Sequence, residues 1–372
     1  GMVCMGLLLV LSSCHTGKQI TASGLQRKDF QTEVNGQHTD LFTLSNKQGM
    51  EVCITNYGAR VVSILVPDRN GKREDVVCGF STITEYMEQR QNFGSTVGRY
   101  IGRILNARFT LDGVEYKLVP NNGKSGHISH GGNPGFADRI WKVEQADTHR
   151  VRLSYLSPDG ENGFPGNLKV TLVYSLGEDD NALDLTYEAT TDAPTVLNLS
   201  HHSFFNISGN FTKSVEDQQL WVDADRFTPY DDKKCVTGEY LQVAGTPLDF
   251  RMPHAIGECI DADHPQLKVV NGYDHTWELN TKGDDTRPAA WVYDPASGRK
   301  MEIFTTEPGM QIYTGNGLKG KMTGKRGIAY PFRSAVCFET MHFQDSPNQP
   351  GFPSTVLRPG EVFRSHTVYK FE

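Results

Sequence analysis

The stretch Leu168-Lys169-Val170-Thr171-Leu172-Val173-Tyr174-Ser175-Leu176 puts an apolar residue at every second position. The segment Gly177 to Asn181 then turns the chain into Leu183, Leu185 and Tyr187, which repeat the alternation. Successive side chains of a strand point to opposite faces, so a period of two over nine residues predicts a strand with one face in a core and one toward water. Two such runs joined by a short polar turn predict an antiparallel pair. Arg150 to Tyr155 alternates in the same way. Phe109-Thr110-Leu111 and Val114-Glu115-Tyr116-Lys117-Leu118 flank Asp112-Gly113, a dipeptide whose members both tolerate positive φ and so favour a tight hairpin. From about Phe30 onward such patterns dominate, and helical periodicity is confined to a short piece around Thr82 to Arg90. No Pro/Ser-rich linker interrupts the chain from Phe30 to Glu372. The expected fold class is therefore all-β: one large antiparallel β-sandwich with few short helices over residues 26–372, with residues 1–25 as leader and tether.

Composition narrows the function classes. The 372 residues carry 44 acidic against 37 basic side chains, a net charge of -7, with no basic run. No electrostatic footprint for nucleic acid or an anionic membrane results, and a neutral small-molecule partner fits better. No low-complexity tract or fixed-period repeat is present. Met2 to Cys14 is an apolar run too short to span a bilayer, and Leu11-Ser12-Ser13-Cys14 resembles a bacterial lipoprotein signal. That resemblance implies export and a lipid anchor on Cys14, the only membrane contact expected. The run lacks a preceding Lys or Arg, and the competing reading is a cytoplasmic protein with an apolar N-terminus. Cys53, Cys78, Cys235, Cys259 and Cys337 remain, an odd number without a CxxC or any regular spacing, so neither a disulfide framework nor a zinc site is indicated. Each reads as a small buried apolar residue.

Chemistry concentrates in a few segments. Val196 to Asn206 reads as a strand on which His202 shares a polar face with Asn198, Ser200, Phe204 and Asn206, while His201 shares an apolar face with Leu197, Leu199 and Phe205. An imidazole among hydrogen-bonding groups can move a proton near neutrality, although a satisfied core histidine is the plainer reading. Ala335 to Phe343 reads as a second strand, with Glu339 on the face of Cys337 and Met341. A carboxylate in apolar surroundings gains proton affinity and becomes a better base; the structural alternative is a Glu paired with an Arg. The loop Asp345 to Pro353 is expected to wall a cleft. Ser129-His130-Gly131-Gly132 lets backbone approach a ligand beside a histidine. Arg99 and Arg103, if on one strand, share a face, though either could simply be solvated, and Asp274 and Gln311 add a carboxylate and an amide, group types able to hold polyhydroxy ligands, although each alone is more often a turn or surface residue. Gly315 to Lys321 fits most of a phosphate-binding loop, but Met322 takes the Ser/Thr position and no helix follows. The sequons at Asn198, Asn206 and Asn210 carry little weight in an exported bacterial protein.

Together these segments resemble the aldose 1-epimerase (galactose mutarotase) family, in order and in spacing. Asn56-Tyr57-Gly58-Ala59, Ser157 to Gly166, Phe227-Thr228-Pro229 and Gly245 to Arg251 extend the likeness, which covers about Gln31 to Phe371. The resemblance implies a β-supersandwich with an open sugar-binding cleft. It implies Glu339 as general base and His202 as general acid, with Arg103, His130, Asp274 and Gln311 binding an aldose. It also implies a reaction that needs neither metal nor other cofactor; a monomer is the expected state, although the sequence leaves the oligomeric state open. Three departures stand out: Gly102 and His201 replace Asn residues common in the family, and a longer Lys124 to Ser129 segment introduces His127 as a rival to His130. Alternatives are epimerisation of hexose 6-phosphates, which needs a basic cluster beyond Arg99 and Arg103, and a non-catalytic sugar-binding lipoprotein. A glycosidase fits less well, because only Glu339 matches a catalytic carboxylate.

Overall fold

The computed structural model describes residues 18–372. The leader with Cys14 lies outside the described residues. Residues 18–25 dock on the sheet that follows them: the Ala22 and Ser23 amides donate to the Glu51 carboxylate at 2.9 and 3.1 Å, and Leu25 is buried.

The alternating run that opens the argument forms the strand Leu168–Leu176, and it pairs antiparallel with Asn181–Thr191 from Leu168↔Thr191 to Leu176↔Leu183. Its apolar positions are buried and the residues between them are not. This hairpin lies in a nine-stranded sheet. The order is Lys142–Ala146, Arg150–Ser157, Leu168–Leu176, Asn181–Thr191, Phe363–Phe371, Lys300–Thr305, Ala290–Tyr293, Gln219–Val222 and His254–Ala255. A six-stranded sheet runs Phe204–Phe205, Val336–Met341, Gly309–Tyr313, Asp274–Glu278, Arg226–Thr228, Leu241–Gln242. Strands Leu41–Ser45, Glu51–Thr55, Arg60–Pro67 and Arg73–Asp75 make a four-stranded sheet. One core joins all three: Leu172, Leu185, Ile303 and Tyr369 from the first pack with Trp277, Ile312 and Phe338 from the second and Val52, Ile54 and Val61 from the third. Burying these side chains on facing sheets is the main source of stability in such a fold.

The expected short helix is Ile83–Gln89, capped by the Thr82 side chain, and the other α-helix among the described residues is Pro265–Val270, besides short 3-10 turns. The Asp112-Gly113 turn joins Arg108–Leu111 to Val114–Lys117, and both turn residues have positive φ, 53° and 78°. The five described cysteines are free; Cys53, Cys78 and Cys337 are buried, whereas Cys235 and Cys259 are partly exposed rather than buried as expected.

Two expectations about strands also need correction. Val196 to Asn206 is broken into Thr195–Val196, Ser200–His202 and Phe204–Phe205. The Ser200–His202 piece pairs with Ser95–Val97, then the chain switches partner at Ser203 and Phe204–Phe205 joins Val336–Met341. Arg99 and Arg103 do not share a strand either, because Val97 ends one strand and Arg103 begins the next. Arg99 is buried away from the cleft, donating to the Pro165 and Gly166 carbonyls and to the Ser157 hydroxyl at 2.6–3.2 Å. It is a structural clamp.

Alternation in the six-stranded sheet sets up the site. Met310, Ile312, His275, Trp277 and Phe338 are buried on the core side. Asp274, Gln311, Tyr313, Glu339 and Met341 therefore project from the other side, into a cavity. Gln311 lies directly opposite Glu339, and Asp274 directly opposite Tyr313.

Candidate active site

His202 reaches Glu339 because of how its segment is sewn to the Glu339 strand. The Asn198 amide donates to the His342 carbonyl at 3.0 Å, the Ser200 hydroxyl to the Thr340 carbonyl at 2.8 Å, and the Asn206 amide to the Ser334 carbonyl at 2.7 Å. The polar face read from the sequence is thus spent on fixing position. Its result is a His202 Nε2 to Glu339 Oε1 distance of 3.3 Å, with the two side chains only 7% and 4% exposed. Phe204 stacks on the His202 ring at 5.1 Å, and the His130 ring meets it edge-on at 5.4 Å. His201 points the other way, with Nε2 2.5 Å from the Ser203 hydroxyl and its ring against Tyr174 and Tyr369. It is a satisfied core histidine, pushed down to about 3 by burial.

Burial also decides the charge of the pair. It holds Glu339 well above the usual carboxylate range, with the nearby Asp274 charge adding to the effect. It holds His202 well below the usual imidazole range, with His130 and His201 opposing a positive charge beside them. A carboxylic acid next to a neutral imidazole is the resting form those directions favour, and the pair then shares one proton.

Around it lies a polar cavity in two connected parts. The inner part, about 270 Å³, is lined by His130, His202, Asp274, Tyr313 and Glu339 among others. The outer part, about 470 Å³, shares His130, Asp274 and Tyr313 and adds Arg103, Gln311, Tyr230, Gln344 and Asn316. All six residues singled out in the sequence therefore line one cleft. Between the two histidines of the 127–130 segment the choice is clear. His127 accepts from the Asn106 amide and sits 3.4 Å from Cys235 Sγ, while His130 faces His202. His130 Nδ1 accepts from the Gly102 amide at 3.1 Å, which leaves Nε2 as the N–H that can donate to a ligand. Burial and the Arg103 guanidinium push its pKa down to about 4, so it stays neutral.

Asp274 and Gln311 act together: Gln311 Nε2 donates to Asp274 Oδ1 at 2.8 Å, and Gln311 Oε1 accepts from the Thr276 hydroxyl. The Asp274 carboxyl is pushed up to about 6 by burial, opposed by that amide and by Arg103. Arg103 is held by its own Nη1 donating to the Lys234 carbonyl at 2.7 Å.

Gln344 and Tyr230 were not legible in the sequence. Gln344 Nε2 donates to the Tyr230 hydroxyl at 2.9 Å, its Oε1 accepts from the Arg103 amide at 3.2 Å, and the Tyr230 hydroxyl donates to the Asp274 carbonyl at 2.7 Å. A Cβ at Gly102, which has φ +77°, would stand 2.6 Å from Gln344 Cγ. The Gln344 side chain fills the space that a side chain at 102 would need. No periodicity points to it, since the strand ends at Met341; Tyr230 follows Phe227-Thr228-Pro229 and carried only that adjacency as a signal. The loop after Gln344 does not wall the outer cavity as expected. It braces the Arg103 segment from behind, with the Asp345 amide donating to the Arg103 carbonyl at 2.8 Å and its carboxylate accepting from the Leu105 amide.

The chain is similar to known proteins over most of its length. Residues 40–370 match the family model described as Aldose 1-epimerase. The chain is 40% identical to a galactose mutarotase from Bos taurus over 89% of its own length and 93% of the relative. It is 36% identical to an aldose 1-epimerase from Escherichia coli (strain K12), over 91% and 96% of the two chains. Among solved structures, an aldose epimerase homologue from C. elegans superimposes with a TM-score of 0.82 at 31% identity, covering 90% of this chain and 99% of that one. With nearly the whole chain matched in sequence and in fold, this protein belongs to the aldose 1-epimerase family.

Proposed function

We propose that the protein interconverts the α and β anomers of free hexoses such as glucose and galactose by opening and reclosing the pyranose ring. The observation that carries this reading is the buried His202–Glu339 pair, 3.3 Å apart, at the inner end of a cleft lined with hydrogen-bonding groups. Ring opening of a hemiacetal needs one proton removed from the anomeric hydroxyl and one delivered to the ring oxygen. Two groups of different proton affinity suffice.

The proton count follows from the resting pair. A sugar entering the cleft supplies hydrogen bonds to an ionised pair, and the shared proton passes from Glu339 to His202. Glu339 then takes the proton of the anomeric hydroxyl as His202 gives its own to the ring oxygen, and the C1–O5 bond breaks. The open-chain aldehyde now lies beside the same neutral pair that burial favours. Rotation about C1–C2 presents the other carbonyl face, and closure returns both protons along the reverse path. In this scheme His130 Nε2–H, Arg103, the Asp274 carboxylate and the Gln311 amide hold the remaining hydroxyls, and rotation of C1 is the one freedom left. No net proton or electron is transferred.

A second reading has one observation behind it. Lys234 and Lys268 join Arg103 on the wall of the outer cavity, a basic group of the sort a 6-phosphate would need. Polarimetry on fresh α-D-glucose, α-D-galactose and glucose 6-phosphate tests both. The proposal expects fast equilibration of the free sugars and a slower rate for the phosphate; rates on free sugars no better than buffer would overturn it.

We also propose export as a lipoprotein, on the strength of Leu11 to Cys14. Detergent-phase partition of the full chain that disappears in Cys14→Ala would support it, and partition unchanged by the substitution would refute it.

A further inference from the structure

Cys337 stands two residues before Glu339 on the strand Val336–Met341, so alternation puts both on the same side of the sheet. The ring exchange described above gives Cys337 no task. Yet one ligand atom from each of His202, Cys337 and Glu339 lies within 4.8 Å of the other two, and all three residues are buried. His202 Nδ1 has no hydrogen-bond partner, and Phe204, opposite Cys337 in the ladder, stacks on the His202 ring. Imidazole nitrogen, thiolate sulfur and carboxylate oxygen are the donors that zinc takes in tetrahedral sites, at about 2.0–2.3 Å. The thiolate disfavours magnesium and calcium, which prefer oxygen. Three protein ligands here would leave a fourth position open, toward the inner cavity that His202 and Glu339 line.

We infer that His202, Cys337 and Glu339 form a binding site for a thiophilic divalent ion of the zinc class, and that its occupation switches the sugar reaction off. Entry is from the cavity, past Glu339, with Cys337 as the deepest ligand. Coordination displaces the thiol proton of Cys337 and the single proton shared by His202 and Glu339, and both pass to solvent. The ion then holds the lone pairs that ring opening requires. Binding should tighten as pH rises, because protons compete for each ligand. The bland alternative is that Cys337 is only a small apolar residue packed with Phe204 and Tyr313, in which case the sulfur would be dispensable for any metal effect.

The inhibitory half of this inference rests on the proposed sugar reaction, whereas the binding half does not, so the two are measured separately. Zinc binding to the purified full chain is followed by calorimetry, and the cobalt complex by its near-ultraviolet sulfur-to-metal absorption. Mutarotation is followed by polarimetry over the same zinc range, with a chelator added at the end. The expected result is uptake of one zinc, a sulfur-to-cobalt band, and loss of rate that the chelator restores. Cys337→Ser should keep its metal-free rate, lose the cobalt band, and need more zinc for the same inhibition by at least the about 10–100-fold that loss of even an outer-sphere partner costs. Cys337→Ala, checked by its thermal melt, serves if the serine variant does not fold. Failure of the wild type to bind zinc, or inhibition of wild type and both variants at the same concentration, would overturn the inference. If zinc binds through Cys337 but the protein does not speed mutarotation, the site stands and the proposed function falls.

Discussion

Asp274 shows how much one residue's surroundings decide. Its carboxyl, pushed up to about 6 by burial, must be ionised to accept from sugar hydroxyls while Gln311 holds its other contacts. As pH falls through about 6 the charged acceptor is lost, so KM should rise; Asp274→Asn should show a high KM at every pH. The same shift acts on stability. A carboxyl raised above its unfolded value favours the fold in its protonated form, and that contribution disappears as pH rises from the unfolded value through about 6. Asp274→Asn should therefore melt higher than wild type at pH 8, with the gap closing by pH 4, as read by calorimetry. Gln344→Ala should raise KM by about tenfold, the cost of roughly one hydrogen bond to a buried network, with little change in kcat. At this scale the sequence announced His202 and Glu339 because strand parity separates neighbours. It was silent on Gln344, which lies beyond the strand end, and misleading on Arg99, whose guanidinium is consumed by carbonyls of another segment.

Among the elements, hairpins and the helix around Thr82 to Arg90 were legible because their signals are local: alternation, Asp112-Gly113 in positive φ, a threonine cap. The break at Ser203 was not. The residues on both sides of it are strand-like, and only the positions of two different partner strands decide that the chain changes sheets there. The strand Phe363–Phe371 illustrates a tertiary lock of the same kind. His366 donates both ring N–H groups to carboxylates of distant segments, lying 2.6 Å from both Asp184 and Asp285, and the two carboxylates raise it to about 9. A histidine raised above its unfolded value stabilises fully below about pH 6.5, and the gain is lost as pH rises through about 9. Because the group is 31% exposed, His366→Gln should cost only about 1 kcal/mol at pH 6 and almost nothing at pH 10, measured by urea unfolding.

For the molecule as a whole, the cleft depends on contacts between the sheets. The segment from Asn316 to Arg333 brings Asn316 and Gly317 to the cavity wall, and its far side is bolted to the four-stranded sheet. Lys325 Nζ lies 2.6 Å from Asp75 Oδ2 with both side chains 4% exposed, and the Tyr330 hydroxyl donates to the Gly79 carbonyl at 2.9 Å. Removing the cation strands a buried carboxylate, so Lys325→Met should cost about 3–5 kcal/mol of stability, seen in urea melts, while kcat well below the melting temperature changes little. Fold class was readable at this scale because buried alternation is a property of each strand. The joining of three sheets in one core was not, since it depends on pairings far apart in the chain. The central claim concerns one proton shared by two buried side chains, and Glu339→Gln removes the group that takes it while keeping its shape. Polarimetry of α-D-galactose at pH 7 should show the rate of that variant reduced by about 10²–10⁴-fold, the usual contribution of a positioned acid or base. Equal rates for Glu339→Gln and wild type would contradict the account.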